Sequence, residues 1–337
     1  MRVAVIGAGG WGTALACLLD TAGHHVCMWV RREAAYQQLQ RTNENRAYLP
    51  DIRLPKTLRF TTNLAEAGAG AKLIVFAVPS HAVRSTASQL APVVAGTPLF
   101  VSTSKGIEEK SLQTMSGVLR DTLPEQLVDR IAVLSGPSFA VEVARGLPTA
   151  VTAAALDQRL AKIVQKTFYA PTFRVYTTTD LIGVEVGGAV KNVIALAVGV
   201  SDGLGYGYNA RAALITRGMA EVVRLAIRMG ASPQTLSGLS GMGDLILTCT
   251  SDLSRNRTVG IRLGKGEKIE EIRQSMSTIA EGIRNCRSIL ALAHRLAVEM
   301  PIVNQISALL YAGKQPKDVV ADLLSRQVKP EFPREEN

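Results

Sequence analysis

Two lysines, one aspartate and an arginine-bearing cluster are the side chains best suited to chemistry. In GGAVKNVIALAVGV, residues 187–200, Lys191 and Asn192 interrupt an otherwise apolar run with helical spacing. A lysine among such neighbours loses hydration, which lowers its pKa from the ordinary value of about 10.4. A neutral amine near pH 7 can take a proton from an alcohol. The competing reading is a lysine that snorkels to the helix surface. Lys105 lies in STSKG at the end of an apolar run, and its charge would lower the pKa further if the two were close. Asp244 stands between glycines and an apolar stretch in GMGDLILTCT. Ser254-Arg255-Asn256-Arg257 follows a few residues on, and arginine with hydroxyl and amide donors suits a phosphate. In isolation that string equally reads as a cationic loop.

A third cluster points to a nucleotide. Gly7-Ala8-Gly9-Gly10-Trp11-Gly12 follows the strand-like RVAVI and opens the helical TALACLLDTAG. In that setting Gly7 allows the tight turn, Gly9 lets the backbone approach a pyrophosphate, and Gly12 lets helix and strand pack. The amides at the helix start then face the phosphates. About 20 residues past the loop, where an acid commonly binds a ribose 2′-hydroxyl, the chain offers Arg31 and Arg32. Two arginines suit a 2′-phosphate, so NADP(H) is mildly preferred over NAD(H), with neighbouring Glu33 keeping the other reading open.

These clusters need elements to hold them. Short apolar runs at residues 3–6, 26–30, 58–61, 73–78, 99–102, 131–134, 150–153 and 173–176 read as strands buried on both faces, with helices between. That pattern predicts an α/β fold with an N-terminal doubly wound, Rossmann-type parallel sheet, its ligands at the carboxyl ends of the strands. After Tyr176 the strand signal stops and Ala-, Leu- and Gly-rich helical segments take over. The expected division is a dinucleotide-binding domain over 1–180, an all-helical substrate-binding domain over 181–330 and a tail over 331–337.

Together GAGGWGTALA, VPSHAV, SKGIE, SGPSFAVEVARGLPTA, GGAVKNVIALAVGVSDGL, NARAALITRGMAE, GMGDLILTCTSDLSRNR and AEGIRN resemble, in order and over nearly the whole chain, the bacterial NAD(P)-dependent glycerol-3-phosphate dehydrogenases. The resemblance implies interconversion of sn-glycerol 3-phosphate and dihydroxyacetone phosphate, supplying glycerophospholipid synthesis, by a homodimer. It makes Lys191 the proton acceptor and places Lys105, Gly136, Ser138, Asp244, Ser254, Arg255 and Asn256 at the substrate. It makes Gly10, Trp11, Arg31, Arg32, Lys105, Ala140, Arg255, Ile279 and Glu281 cofactor contacts. Two departures weaken the carry-over locally: Thr258 follows SRNR where many members have a further basic residue, and AEGIRNC varies the common VEGxRT near Ile279.

Bulk properties narrow the alternatives. At 337 residues, 47% hydrophobic and 20% charged, the chain is long and apolar enough for two cores. Its net charge of +10 favours anionic partners, but aromatics at 5% and the lack of a long basic block argue for a phosphorylated small molecule over nucleic acid. Four scattered cysteines form no CxxC pair and four histidines no ligand pair, so no metal is expected and a reducing compartment is. A strand beginning at residue 2 leaves no room for a signal peptide, and no run approaches the ~20 apolar residues of a membrane span, so the expected location is cytoplasmic without membrane insertion. Two rivals stay open: another two-domain dehydrogenase of the β-hydroxyacid or ketopantoate reductase kind, and a dinucleotide sensor without activity.

Overall fold

A computed structural model describes residues 1–276, 280–327 and 330–331, so the expected contact Ile279 and most of the expected tail lie outside the described residues. In chain order the first part comprises β1 (Arg2–Ile6), α1 (Gly10–Thr21), β2 (His25–Trp29), α2 (Glu33–Thr42), β3 (Glu44–Asn45), β4 (Leu49–Arg53), β5 (Arg59–Thr61), α3 (Leu64–Gly68) and β6 (Leu73–Phe76). It continues through α4 (Val83–Leu90), β7 (Leu99–Ser102), α5 (Met115–Thr122), β8 (Ile131–Ser135), α6 (Ala140–Ala144), β9 (Thr149–Ala155), α7 (Gln158–Thr167) and β10 (Phe173–Thr178). Each of the eight runs expected as strands overlaps one.

The eight-stranded sheet has the order β10-β9-β8-β7-β6-β1-β2-β5. Alternation along β1 shows why it needs helices on both sides. Val3 and Val5 enter one core with α1 and α7, while Ala4 and Ile6 enter another with α4 and α5. Chain order reverses between β1 and β6, which opens a crevice above their carboxyl ends. From β5 to β8 all pairings are parallel, as the apolar runs predict, but β9 pairs antiparallel with β8 and β10 runs with β9. Between β8 and β9 the chain forms only the five-residue α6 and then turns back along β8. The two-stranded hairpin β3–β4 gave no strand signal, because β3 is two residues long and β4 contains Pro50.

The second part is helical: α8 (Leu181–Gly203), α9 (Gly207–Arg228), α10 (Pro233–Leu236), a π-helical turn (Leu239–Gly243), α11 (Asp244–Thr250), α12 (Arg255–Gly264), α13 (Ile269–Ser275), α14 (Glu281–Arg295), α15 (Pro301–Tyr311) and α16 (Pro316–Leu324). The short apolar run after Lys191 belongs to the 23-residue α8, which by length and composition alone could cross a membrane. Here it is the axis of a protein core, with nearly all of its apolar window buried. Its glycines decide what packs on it. A Cβ on Gly199 would stand 2.2 Å from the Arg257 carbonyl oxygen, and one on Gly260 2.2 Å from that of Leu196. Gly203 and Gly264 repeat the contact one turn on, so α8 and α12 meet backbone to backbone. On the same helix, a Cβ on Gly187 would stand 2.6 Å from the Ser240 carbonyl oxygen, in the turn leading to α11.

Buried carboxyls tie distant helices together. Glu185 of α8 accepts from the Ser116 amide (2.8 Å) and hydroxyl (2.5 Å) at the start of α5, joining the helical part to a helix that flanks the sheet. Glu221 of α9 accepts from the Ile302 and Val303 amides (2.6 and 3.3 Å) at the start of α15. Both helix starts lack a side-chain cap of their own, so each glutamate satisfies orphan donors from another element. Burial pushes both carboxyls up, that of Glu221 to about 7.

Candidate active site

The strand ends build the nucleotide half of a cleft of about 750 Å³. β1 runs into Gly7, whose φ of +122° suits glycine, and a Cβ on Gly12 would strike the Gly7 carbonyl oxygen at 2.0 Å. A Cβ on Gly9 would meet nothing within 4 Å, so the outer side of the loop is open. Gly9 also caps α1 without a side-chain bond, leaving the first amides of that helix for an anion. β2 delivers Arg31 and Arg32, both exposed, to the same cleft. Trp11 and, from α6, Ala140 line it as well. An open glycine loop, uncapped helix amides and two arginines at the end of β2 fit a phosphorylated dinucleotide.

The chemical half assembles at the far end of the cleft. Gly187 lets the turn before α11 press against α8, which brings Asp244 to Lys191 although 53 residues separate them. Asp244 is 1% exposed and carries both lysines. One carboxylate oxygen accepts from Lys191 Nζ, and the other from Lys105 Nζ at 2.6 Å. Lys105 Nζ also donates to the Gly136 carbonyl at 3.2 Å, and Lys191 Nζ to the Thr248 hydroxyl at 2.7 Å. Thr248 in turn donates to the Asp244 carbonyl at 2.7 Å, so its hydroxyl oxygen is free to accept from the amine. Lys191 is 7% exposed and lines the cleft, which excludes the snorkelling reading. Burial is the main cause of a fall in its pKa to about 8; Asp244 opposes the fall and Lys105 adds to it.

The α8–α12 contact sets the third group. It places the start of α12 beside Lys191, so Ser254, Arg255 and Asn256 all line the cleft. Their employments differ. Arg255 is exposed toward the opening. Ser254 caps α12, its hydroxyl accepting from the Arg257 amide at 3.3 Å. Asn256 donates to the Asn192 side chain (2.9 Å) and accepts from the Gly282 amide (3.0 Å), linking α8, α12 and α14. Arg257 turns away, held by Asp202 (2.8 Å) and Asp252 (2.7 Å). Glu281, at the start of α14, also lines the cleft, and burial raises its pKa against the pull of Arg255. Ser138 lines the cleft too, while Gly136 supports Lys105 from behind.

Sequence reasoning missed Thr248 and the hairpin residues Ala47, Tyr48 and Pro50 along the cleft. Thr248 lies one helical turn after Asp244, and that i,i+4 spacing was the available signal.

Comparison with known proteins agrees with this geometry. Residues 2–161 match the profile of the NAD-dependent glycerol-3-phosphate dehydrogenase N-terminus, and residues 180–321 that of its C-terminus. The chain is 53% identical over 333 residues to a glycerol-3-phosphate dehydrogenase [NAD(P)+] of Anaeromyxobacter dehalogenans, covering 98% of this chain and 100% of the relative. It is 50% identical over 332 residues to that of Syntrophotalea carbinolica, with the same coverages. The solved structure of glycerol-3-phosphate dehydrogenase from Coxiella burnetii superposes with a TM-score of 0.92 at 38% identity, covering 96% of this chain and 99% of that one.

Proposed function

The chain belongs to the NAD-dependent glycerol-3-phosphate dehydrogenase family, and from that premise we propose that it interconverts sn-glycerol 3-phosphate and dihydroxyacetone phosphate with Lys191 as the proton-transferring group. The observation that carries this is a single buried amine, held by Asp244 and Thr248, facing the same cleft as the open glycine loop. Residues 1–180 hold the cofactor in this reading and 181–330 most of the substrate.

The cofactor, when bound, supplies or accepts the hydride at the substrate carbon. The glycine loop holds its pyrophosphate, and Arg31 with Arg32 holds a 2′-phosphate, which favours NADP(H). Ala140, Glu281 and Trp11 line its path. Lys191, with its pKa near 8, takes the hydroxyl proton during oxidation and returns it during reduction. Lys105 keeps positive charge beside the same oxygen, and Asp244 holds the two amines in register. Arg255 binds the substrate phosphate, with Ser254 and Asn256 shaping the pocket around it, so binding energy away from the reacting carbon positions that carbon. We further propose a cytoplasmic homodimer whose product feeds glycerophospholipid synthesis.

The test follows NADPH consumption with dihydroxyacetone phosphate and with unphosphorylated dihydroxyacetone. Rapid turnover of the first and slow turnover of the second is expected. Arg255→Ala should raise KM for the phosphorylated substrate and leave the slow reaction nearly unchanged. Equal losses on both place Arg255 in the chemistry or the fold instead.

A further inference from the structure

The β3–β4 hairpin lies along the nucleotide half of the cleft, and its contacts are specific. Asn45 is 4% exposed and donates to the Ala8 carbonyl (2.9 Å) and the Thr13 hydroxyl (2.8 Å), the two sides of the glycine loop. Its strand partner Leu49 is 1% exposed, so the hairpin is anchored in the core as well. Between them the Tyr48 carbonyl oxygen stands 2.9 Å from where a Cβ on Gly10 would be, a contact that only glycine at that position allows. The Tyr48 ring then lies under Arg32, whose guanidinium carbon is 5.9 Å from the ring centre and whose Nη2 donates to the Tyr48 hydroxyl at 3.2 Å.

We propose that this hairpin is a specificity clamp for the 2′-phosphate of NADP(H), in which Asn45 seats the hairpin on the glycine loop and Tyr48 is a positioning residue that holds Arg32 ready. The inference rests on the reading that the arginines after β2 recognise that phosphate. A long cationic side chain loses rotamer freedom when it grips an anion, and holding it beforehand reduces that loss. Tyrosine can do so with its ring face and its hydroxyl together.

The experiment is calorimetric titration of the intact protein with NADPH and NADH, reading the ratio of the two affinities. Tyr48→Ala should weaken NADPH about two- to fivefold, the size of an exposed cation–ring contact, and leave NADH unchanged. Tyr48→Phe, which keeps the ring, should restore part of the ratio. The Arg31→Ala/Arg32→Ala variant should lower the ratio further, and adding Tyr48→Ala to it should change nothing more. Asn45→Ala should weaken both cofactors, because it frees the loop they share; if that variant does not fold, the Tyr48 arm decides. An unchanged ratio in Tyr48→Ala beside a lowered one in the arginine variant overturns the clamp alone. Equal weakening of both cofactors by Tyr48→Ala makes the tyrosine mere packing, and also overturns it. An arginine variant with an unchanged ratio removes the phosphate reading itself, and the clamp with it.

Discussion

The two halves of the cleft position their groups by different physics. On the sheet side, the proposed contacts Gly7, Arg31, Arg32 and Lys105 follow β1, β2 and β7 by one to three positions. A parallel sheet aligns those ends automatically, so location is inherited from the local chain. On the helical side, Lys191, Asp244, Thr248 and Arg255 come from α8, α11 and α12, and nothing local brings them together. They meet because glycines let backbones touch, at Gly187 against the turn before α11 and at Gly199 against Gly260. The proposed cofactor side therefore depends on loops at strand ends, and the proposed catalytic side on helix crossings.

The largest expected effect tests the chemistry that those crossings assemble. Lys191→Arg keeps charge but cannot release a proton near neutral pH, so kcat should fall about 10²–10⁴-fold, nearly as far as in Lys191→Ala. Lys105→Arg should keep more activity, and cofactor affinity should hold in both Lys191 variants. Turnover within a few-fold of the parent in Lys191→Arg makes this lysine an electrostatic clamp only.

A pair of glycine substitutions contrasts the halves directly. Gly199→Ala forces a methyl group against backbone and should cost about 3 kcal/mol in urea unfolding. Gly9→Ala enters open space and should change stability by less than about 1 kcal/mol, while weakening both cofactors. Equal destabilisation by the two would erase the distinction drawn between crossings and loops. Within the cofactor side, Arg31→Ala/Arg32→Ala should weaken NADPH about 10- to 100-fold through lost charge-assisted bonds and leave NADH nearly unchanged. Equal loss of both cofactors in titration would remove these arginines from 2′-phosphate recognition.

The smallest effect is a pH profile. Burial lowers Lys191 to about 8, so its ammonium prevails below that pH and its amine above. In the proposed mechanism reduction needs the ammonium, so its kcat should fall as pH rises through about 8; oxidation needs the amine, and its kcat should rise over the same range. Lys105→Ala removes a neighbouring positive charge, so both midpoints should move to higher pH in whatever activity remains. Profiles that do not move leave Lys105 without electrostatic influence on Lys191.

How much of this was legible follows from the same division. The eight sheet strands, the glycine loop and the paired arginines could be read because each is a local pattern. A strand buried on both faces is a short apolar run, and a phosphate loop needs glycine at fixed offsets. Lys191 could be singled out because a charge inside an apolar helix is costly to bury. The reversal of β9 and β10 escaped, since an apolar run does not record its direction in a sheet. The hairpin escaped because Pro50 and a two-residue strand mask it.

The sequence by itself determined which side chains could transfer a proton or grip a phosphate, and that most strand-end groups would share one edge of a sheet. Tertiary structure alone decided that Asp244 would hold both lysines, that Thr248 would join them, and that Arg257 would turn from the cleft to Asp202 and Asp252. Those outcomes depend on how closely α8 meets α11 and α12, and on where the loop after β7 meets α11. That distance is set by packed backbone atoms far apart in the chain, which no local pattern of residue types encodes.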